Sequence, residues 1–120
     1  MGNLLVHITS GPEAPTRAAL GFLVAQTAAK EGHDVHVFLA GDAVQLVRTT
    51  VLDSLTGLGT GSLRESYDAL TSSGGRIYLS GMSSKARGIT DEDLAGKSAE
   101  FSTPQRLVQL TFESDRSLTY

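Results

Sequence analysis

The chain has 120 residues, of which 40% are hydrophobic and 19% are charged, with a formal net charge of −3. This length and composition predict one folded domain spanning residues 1–120, with no linker or internal repeat. The small negative charge and the scattered basic residues exclude the footprint of a nucleic-acid-binding protein. Cysteine is absent, which excludes disulfides, thiolate metal sites and thiol chemistry by this chain itself.

The sequence carries no basic, apolar leader and no apolar run long enough to span a membrane. Its longest apolar run, residues 18–25, is typical of a buried helix. We therefore expect a cytoplasmic protein that makes no contact with a membrane.

Apolar strand-like runs alternate with helix-like segments, a pattern typical of a parallel α/β sheet. The first half of the chain predicts strands at residues 4–8 and 35–39, with a helix from Pro15 to about Lys30 between them. A second helix over residues 43–47 is predicted with Asp42 as its N-cap. Residues 49–55 favour an irregular helical segment, and residues 57–61 a flexible link.

In the second half, a capping-box pattern at Ser62 and Glu65 predicts a helix that continues to about Ser73. The remaining pattern predicts a third strand at 76–80, a helical turn from Thr90 to Gly96, and a short fourth strand at 99–101. It also predicts a helix from Pro104 to about Ser114 and a final strand at 117–120.

The strongest candidate site is the segment 77–89, Ile-Tyr-Leu-Ser-Gly-Met-Ser-Ser-Lys-Ala-Arg-Gly-Ile, where a buried strand runs into a polar loop. Ligands of open α/β sheets lie beyond the carboxyl ends of the strands, and the loops 10–13 and 40–42 are predicted at that edge as well. The N–H groups of a helical turn favour an anion or polar group. We predict these ligand-binding residues: Ser10, Gly11, Ser80, Gly81, Ser83, Ser84 and Arg87.

The plainer interpretation of this loop is that Ser83 or Ser84 caps the turn while Lys85 and Arg87 face solvent. Glu13 and Asp42 could bring carboxylates towards the same cleft, or serve only as turn and cap residues.

Other chemistries are poorly supported by the sequence. Ser80 lacks the Gly-x-Ser-x-Gly elbow of a serine hydrolase, and the three histidines fall in or before strands, away from the strand carboxyl ends. His33 and His36 are three residues apart and would point to opposite faces, so we predict no metal site. The glycines of residues 57–61 match neither a dinucleotide fingerprint nor a P-loop.

Five segments, residues 9–13, 28–35, 37–44, 77–89 and 107–120, carry a family resemblance. In their order and spacing they are similar to the DsrE/DsrF-like family of small sulfur-relay proteins. The resemblance implies a three-layer, single-domain α/β fold with about five mostly parallel strands, assembled as a homo-oligomer, a trimer or hexamer.

The resemblance also implies a role for the site loop. In the family a cysteine commonly stands where this chain has Ser80, and some members carry another near Ser83. That cysteine accepts a persulfide and passes the sulfur along a relay. A serine hydroxyl cannot hold a transferable sulfane sulfur, because the relay depends on thiolate chemistry.

Three explanations fit a family member without the thiol. We favour a natural member that kept the fold for binding or assembly, then a Cys→Ser variant, then a pocket turned to non-thiol chemistry. We therefore expect a non-catalytic protein without a cofactor, which binds a small polar or anionic ligand, or a protein partner, at the loop after the third strand. The alternatives are a persulfide-relay subunit whose sulfur-relay protein partner supplies the cysteine, and a purely structural oligomer subunit.

Overall fold

A computed structural model describes residues 1–120. Seven strands are present: β1 (Asn3–Ile8), β2 (Asp34–Leu39), β3 (Thr56–Gly57), β4 (Gly61–Ser62), β5 (Arg76–Ser80), β6 (Ala99–Ser102) and β7 (Arg116–Thr119). Five of them form an all-parallel sheet in the order β6-β5-β2-β1-β7, and β3 pairs with β4 as a separate antiparallel hairpin. The predicted parallel α/β fold is confirmed.

Six α-helices connect the strands: α1 (Pro15–Lys30), α2 (Thr49–Ser54), α3 (Leu63–Ser72), α4 (Gly81–Ala86), α5 (Asp91–Leu94) and α6 (Pro104–Glu113). A 3-10 helix (Gly41–Val47) follows β2 directly. No helix is both long enough and apolar enough to cross a membrane.

Alternation along the strands divides the apolar side chains between the two faces of the sheet. Val6, Val37 and Ile77 face the larger core, which α1 and α3 cover together with the 3-10 helix. The opposite face has a smaller cluster in which Leu110 of α6 packs with its strand residues, Leu5, Phe38 and Tyr78. The sheet is thus the middle of three layers, as predicted.

Two local predictions were wrong. Residues 57–61 are not simply a flexible link, because Gly57 and Gly61 pair as the hairpin of β3 and β4. The hairpin is fixed where Gly57 lies against Thr16 of α1, so closely that a Cβ at Gly57 would overlap its neighbours. Asp42 is not an N-cap, since the 3-10 helix begins after the extended residue Ala40, and the Asp42 side chain bonds elsewhere.

Candidate functional site

Three loops meet at the carboxyl end of the sheet, where parallel strands all terminate. They follow β1, β2 and β5. The Gly41 N–H donates to the Ser83 hydroxyl at 2.9 Å, which joins the second loop to the third. Gly11 lies so close to the Asp42 carbonyl that a Cβ at Gly11 would overlap it, which joins the first loop to the second. The structure therefore brings together the three loops that the strand pattern predicts at this edge.

Ser80 is the last residue of β5 and the N-cap of α4. Its hydroxyl oxygen accepts a hydrogen bond from the Ser83 N–H at 3.2 Å, and only 9% of the residue is exposed. N-cap hydroxyls satisfy backbone donors at the start of a helix. The Ser80 hydroxyl thus has a structural partner within its own loop.

The two following serines differ in their surroundings. The Ser83 hydroxyl accepts from Gly41, as described above, and so ties α4 to the start of the 3-10 helix. Ser84 is 1% exposed, and its hydroxyl has no hydrogen-bond partner. Ser84 therefore lies beneath the surface of the loop, on the core side of α4.

Arg87 follows α4 and reaches back across the loop. Its Nε and Nη2 atoms lie 3.1 and 3.0 Å from Oδ1 of Asp42, and its Nη1 donates to the Ser83 carbonyl at 3.1 Å. The Arg87 carbonyl in turn accepts from Nη2 of Arg48 at 2.7 Å. The guanidinium thus lies between the loops that follow β2 and β5, and the Asp42 carboxylate of the former balances its charge.

The loop after β1 also satisfies its own polar groups. The Gly11 N–H donates to both carboxylate oxygens of Glu13, at 2.9 and 3.0 Å, and Ser10 is buried. The Glu13 and Asp42 carboxylates, predicted to approach one cleft, therefore each face a donor of their own. Ser10 and Gly11 remain predicted binding residues that the structure places beside the second loop.

The exposed side chains of α4 are Met82, Lys85 and the small Ala86. Met82 is the second residue of the helix and is 73% exposed, next to the half-exposed Gly81. Sequence reasoning, which concentrated on hydroxyls and cations, did not single out Met82. The sequence feature that could have identified it is a single large apolar residue within the otherwise small and polar run Ser-Gly-Met-Ser-Ser.

The histidines lie apart from this loop. His7 and His36 project from β1 and β2 on the α6 side of the sheet, and burial lowers the pKa of each below the usual 6.5. His33 directly precedes β2 and so lies at the amino ends of the strands, where its Nδ1 accepts from the Gly2 N–H at 3.1 Å. No cluster of three or more metal-ligating side chains is formed.

The fold and this loop cluster define the chain as an open parallel α/β protein whose prominent polar loops gather at one edge of the sheet. The model of the DsrE/DsrF-like family matches residues 2–120, so the chain belongs to that family. The resemblance inferred from the sequence is thereby confirmed, and the fold is of the sulfur-relay type.

Solved structures of three other proteins have a similar fold. The ychN protein from E. coli superposes with a TM-score of 0.78 at 19% identity over 100% of both chains. MTH1491 from Methanobacterium thermoautotrophicum, a protein of unknown function, gives 0.71 at 16% identity, again over 100% of both. BT1422 from Bacteroides thetaiotaomicron, a conserved protein of unknown function, gives 0.72 at 12% identity, covering 99% of this chain and 95% of the other. A search of curated protein sequences finds no significant match.

Proposed function

We propose that this chain is a non-catalytic DsrE/DsrF-like protein that docks a protein partner through the outer side of its site loop, residues 80–87. One observation carries the proposal. The serine hydroxyls of the loop and the Arg87 guanidinium are bonded inside the protein or buried, whereas the exposed side chains are those of Met82, Lys85 and Ala86.

The internal hydrogen bonds make a partner protein a better occupant than a small anion. An anion at Arg87 would have to compete with the Asp42 carboxylate, 3.0 Å from the guanidinium. A partner requires no such exchange. Methionine is an adaptable apolar contact, common at protein-binding surfaces. The expected partner offers an apolar socket to Met82 and an acidic residue to Lys85.

The missing thiol argues against an enzymatic role for the chain alone. A persulfide relay needs a thiolate, and this chain has no cysteine. We further propose that the protein acts in the cytoplasm as a homo-oligomer, for which the sequence resemblance suggests a trimer or hexamer.

A second candidate is a subunit of a persulfide-relay complex whose partner supplies the cysteine. Membership of the family favours it, together with the retained backbone of the site loop, in which Ser80 receives a hydrogen bond from the third residue of α4. In that case the complex with the partner would carry sulfur only while the partner's thiol is intact. The first candidate requires no thiol in the partner.

Photo-crosslinking in the protein's own host tests the docking site. A benzophenone amino acid at position 82 should give a discrete adduct with one protein. The same residue at position 112, an apolar site on α6 that is at least as exposed as position 82, is the control and should not give that adduct. Absence of a discrete adduct from position 82 would overturn the proposal.

The captured protein is then purified and its affinity measured. Met82→Ser should weaken binding about tenfold or more, because burying a methionine side chain contributes roughly 1.5–3 kcal/mol. Phe112→Ser should leave the affinity unchanged. Equal affinities for wild type and Met82→Ser would contradict the role of Met82.

Replacing the partner's cysteines with serine, with sulfur transfer as the readout, separates the relay candidate from simple docking.

A further inference from the structure

The other notable surface of the molecule is the open edge of the sheet at β7. All four residues of β7 are exposed, and the strand pairs with β1 on one side only. Tyr120 follows β7, and its N–H and carbonyl bond to His7 and Thr9. Because backbone groups alternate in direction along a strand, those of Ser117 and Thr119 point to the open side. An edge of this kind is a template for pairing with another strand.

A groove runs beside this edge, between α1 and β7. It consists of two hollows of about 860 and 570 Å³, the first near Arg116 and the second near Tyr120. By strand alternation Leu118, which is 42% exposed, lies on the same face of the sheet as Arg116. Leu20 of α1, which is 37% exposed, lines the second hollow. Leu20 and Leu118 therefore add exposed apolar surface to the α1 side of this edge.

One stripe of α1 forms the helical wall of the groove. Its members recur at helical spacing, and each lines one or the other hollow; they are Arg17, Leu20, Val24, Thr27 and the C-cap residue Glu31. The stripe is apolar or neutral in its middle and carries opposite charges at its ends. Arg17 and Glu31 each lie seven residues from Val24 and form no ion pair within the chain. They are about 21 Å apart along the helix, too far to pair with each other.

We propose that the α1–β7 groove binds a second copy of this chain across a two-fold axis, with the two β7 strands paired antiparallel. In this arrangement Ser117 of each copy lies opposite Thr119 of the other, and their free backbone groups form the ladder. Leu118 then faces Leu118 of the second copy at the axis. The two sheets become one sheet of ten strands.

The charges on α1 support this occupant over an unrelated peptide. The α1 helix runs antiparallel to β7, so that Leu20 lines the hollow at the end of the strand and Thr27 the hollow at its start. The middle of the α1 stripe therefore lies close to Leu118. A two-fold axis there brings Arg17 of each copy opposite Glu31 of the other, which gives two complementary pairs across the axis.

The spacing of the elements leaves room for side chains between the two copies. The two β1 strands would be three strand spacings apart, or about 14 Å. Each α1 helix contacts both β1 and β2 of its own sheet, so the two α1 helices would be at least that far apart, beyond the roughly 8–10 Å of directly packed helices, and a gap would separate them. The side chains of Leu20, Val24 and Leu118 from both copies would fill that gap. This contact occurs in a dimer, or in a hexamer built from two trimers.

Disulfide trapping tests the register, since the chain has no cysteine and each variant holds one thiol. Directly opposed residues in a non-hydrogen-bonded antiparallel pair have Cα atoms about 4.5 Å apart, within the range for a disulfide. Oxidised Leu118→Cys should therefore form a covalent dimer at least tenfold faster than Ser72→Cys, an exposed control on α3. Equal rates would overturn the proposal.

Charge exchange on the full-length protein gives the second test, read by sedimentation or native mass spectrometry. Arg17→Glu should weaken self-association about tenfold or more, because it places like charges opposite each other at two points. The double variant Arg17→Glu, Glu31→Arg should restore it. A wild-type protein that is monomeric, or trimeric with no further association, would overturn the inference, as would a double variant no tighter than the single one.

Discussion

At the residue scale, Ser80 joins β5 to α4 and stands where the sequence resemblance implies a thiol. A cysteine there would accept the Ser83 N–H that now bonds to the serine hydroxyl at 3.2 Å. Hydrogen bonding to the charged form lowers the pKa of an acid, whereas burial raises it. The Ser83 N–H donor remains at this position, and the Arg87 guanidinium lies nearby, where it bonds to the Ser83 carbonyl. We expect the hydrogen bond and the positive charge to lower the pKa of a thiol here by more than burial raises it.

The prediction is that the thiol of Ser80→Cys has a pKa below the ordinary value of about 8.5, as measured by thiolate absorbance against pH. Ser72→Cys is the matched control, because it places the same thiol at the other end of a helix, on the exposed last residue of α3. A thiol at position 80 that titrates at or above the control would show that the loop no longer favours a thiolate.

At the scale of elements, Lys97 fastens the segment after α5 to the 3-10 helix. The residue is 8% exposed, and its ammonium donates to the carbonyls of Val47 and Asp93 at 2.7 and 2.6 Å and to the Thr49 hydroxyl at 2.9 Å. Burial lowers the pKa of Lys97, while the neighbouring Asp93 charge opposes that shift. Three acceptors at one buried ammonium make this side chain the main link between the two segments.

Lys97→Met should lower the free energy of unfolding by about 2–4 kcal/mol, because it strands acceptors in the interior. Lys85→Met, the same change at an exposed site, should stay within about 0.5 kcal/mol of wild type. Urea denaturation of both variants at one protein concentration provides the measurement. A Lys97→Met protein as stable as the control would refute the linking role.

The elements that the sequence predicts best are those whose signal is local. The apolar runs at β1, β2 and β5 and the Pro15 start of α1 need no distant contact to be recognised. Asp42 shows the limit of such signals, because its side chain is drawn away from capping by Arg87, 45 residues along the chain. The hairpin at residues 56–62 likewise depends on packing against α1.

The candidate site could be predicted only in outline, for the same reason. The alternation of strands and helices in the sequence predicts a parallel sheet, and parallel strands place the three loops together at their carboxyl ends. Which serine turns inward depends on the helical register after Ser80. Ser84 is buried and Met82, two residues earlier, is exposed, a difference that the sequence pattern alone does not predict.

At the scale of the whole molecule, the two faces of the sheet are covered unequally. One face carries the core of 22 buried residues, and the other carries a cluster of four under α6. The two strand histidines lie on this thinner face. His36 stacks on Tyr78 with ring centroids 6.0 Å apart, and the buried Nε2 of His7 has no hydrogen-bond partner. Protonation of either imidazole would place a charge in partly desolvated surroundings.

The free energy of unfolding should therefore fall as the pH drops below about 6.5. Burial lowers the pKa of His7 and His36 in the folded protein, so the unfolded chain binds their protons first and gains relative stability in acid. Urea denaturation between pH 7.5 and 5.5 at constant protein concentration measures the slope. The double variant His7→Gln, His36→Gln should have a flatter slope. The control His33→Gln, at the amino ends of the strands, should keep the wild-type slope. A wild-type profile that is flat over this range would contradict the argument, since the carboxylates titrate mainly at lower pH.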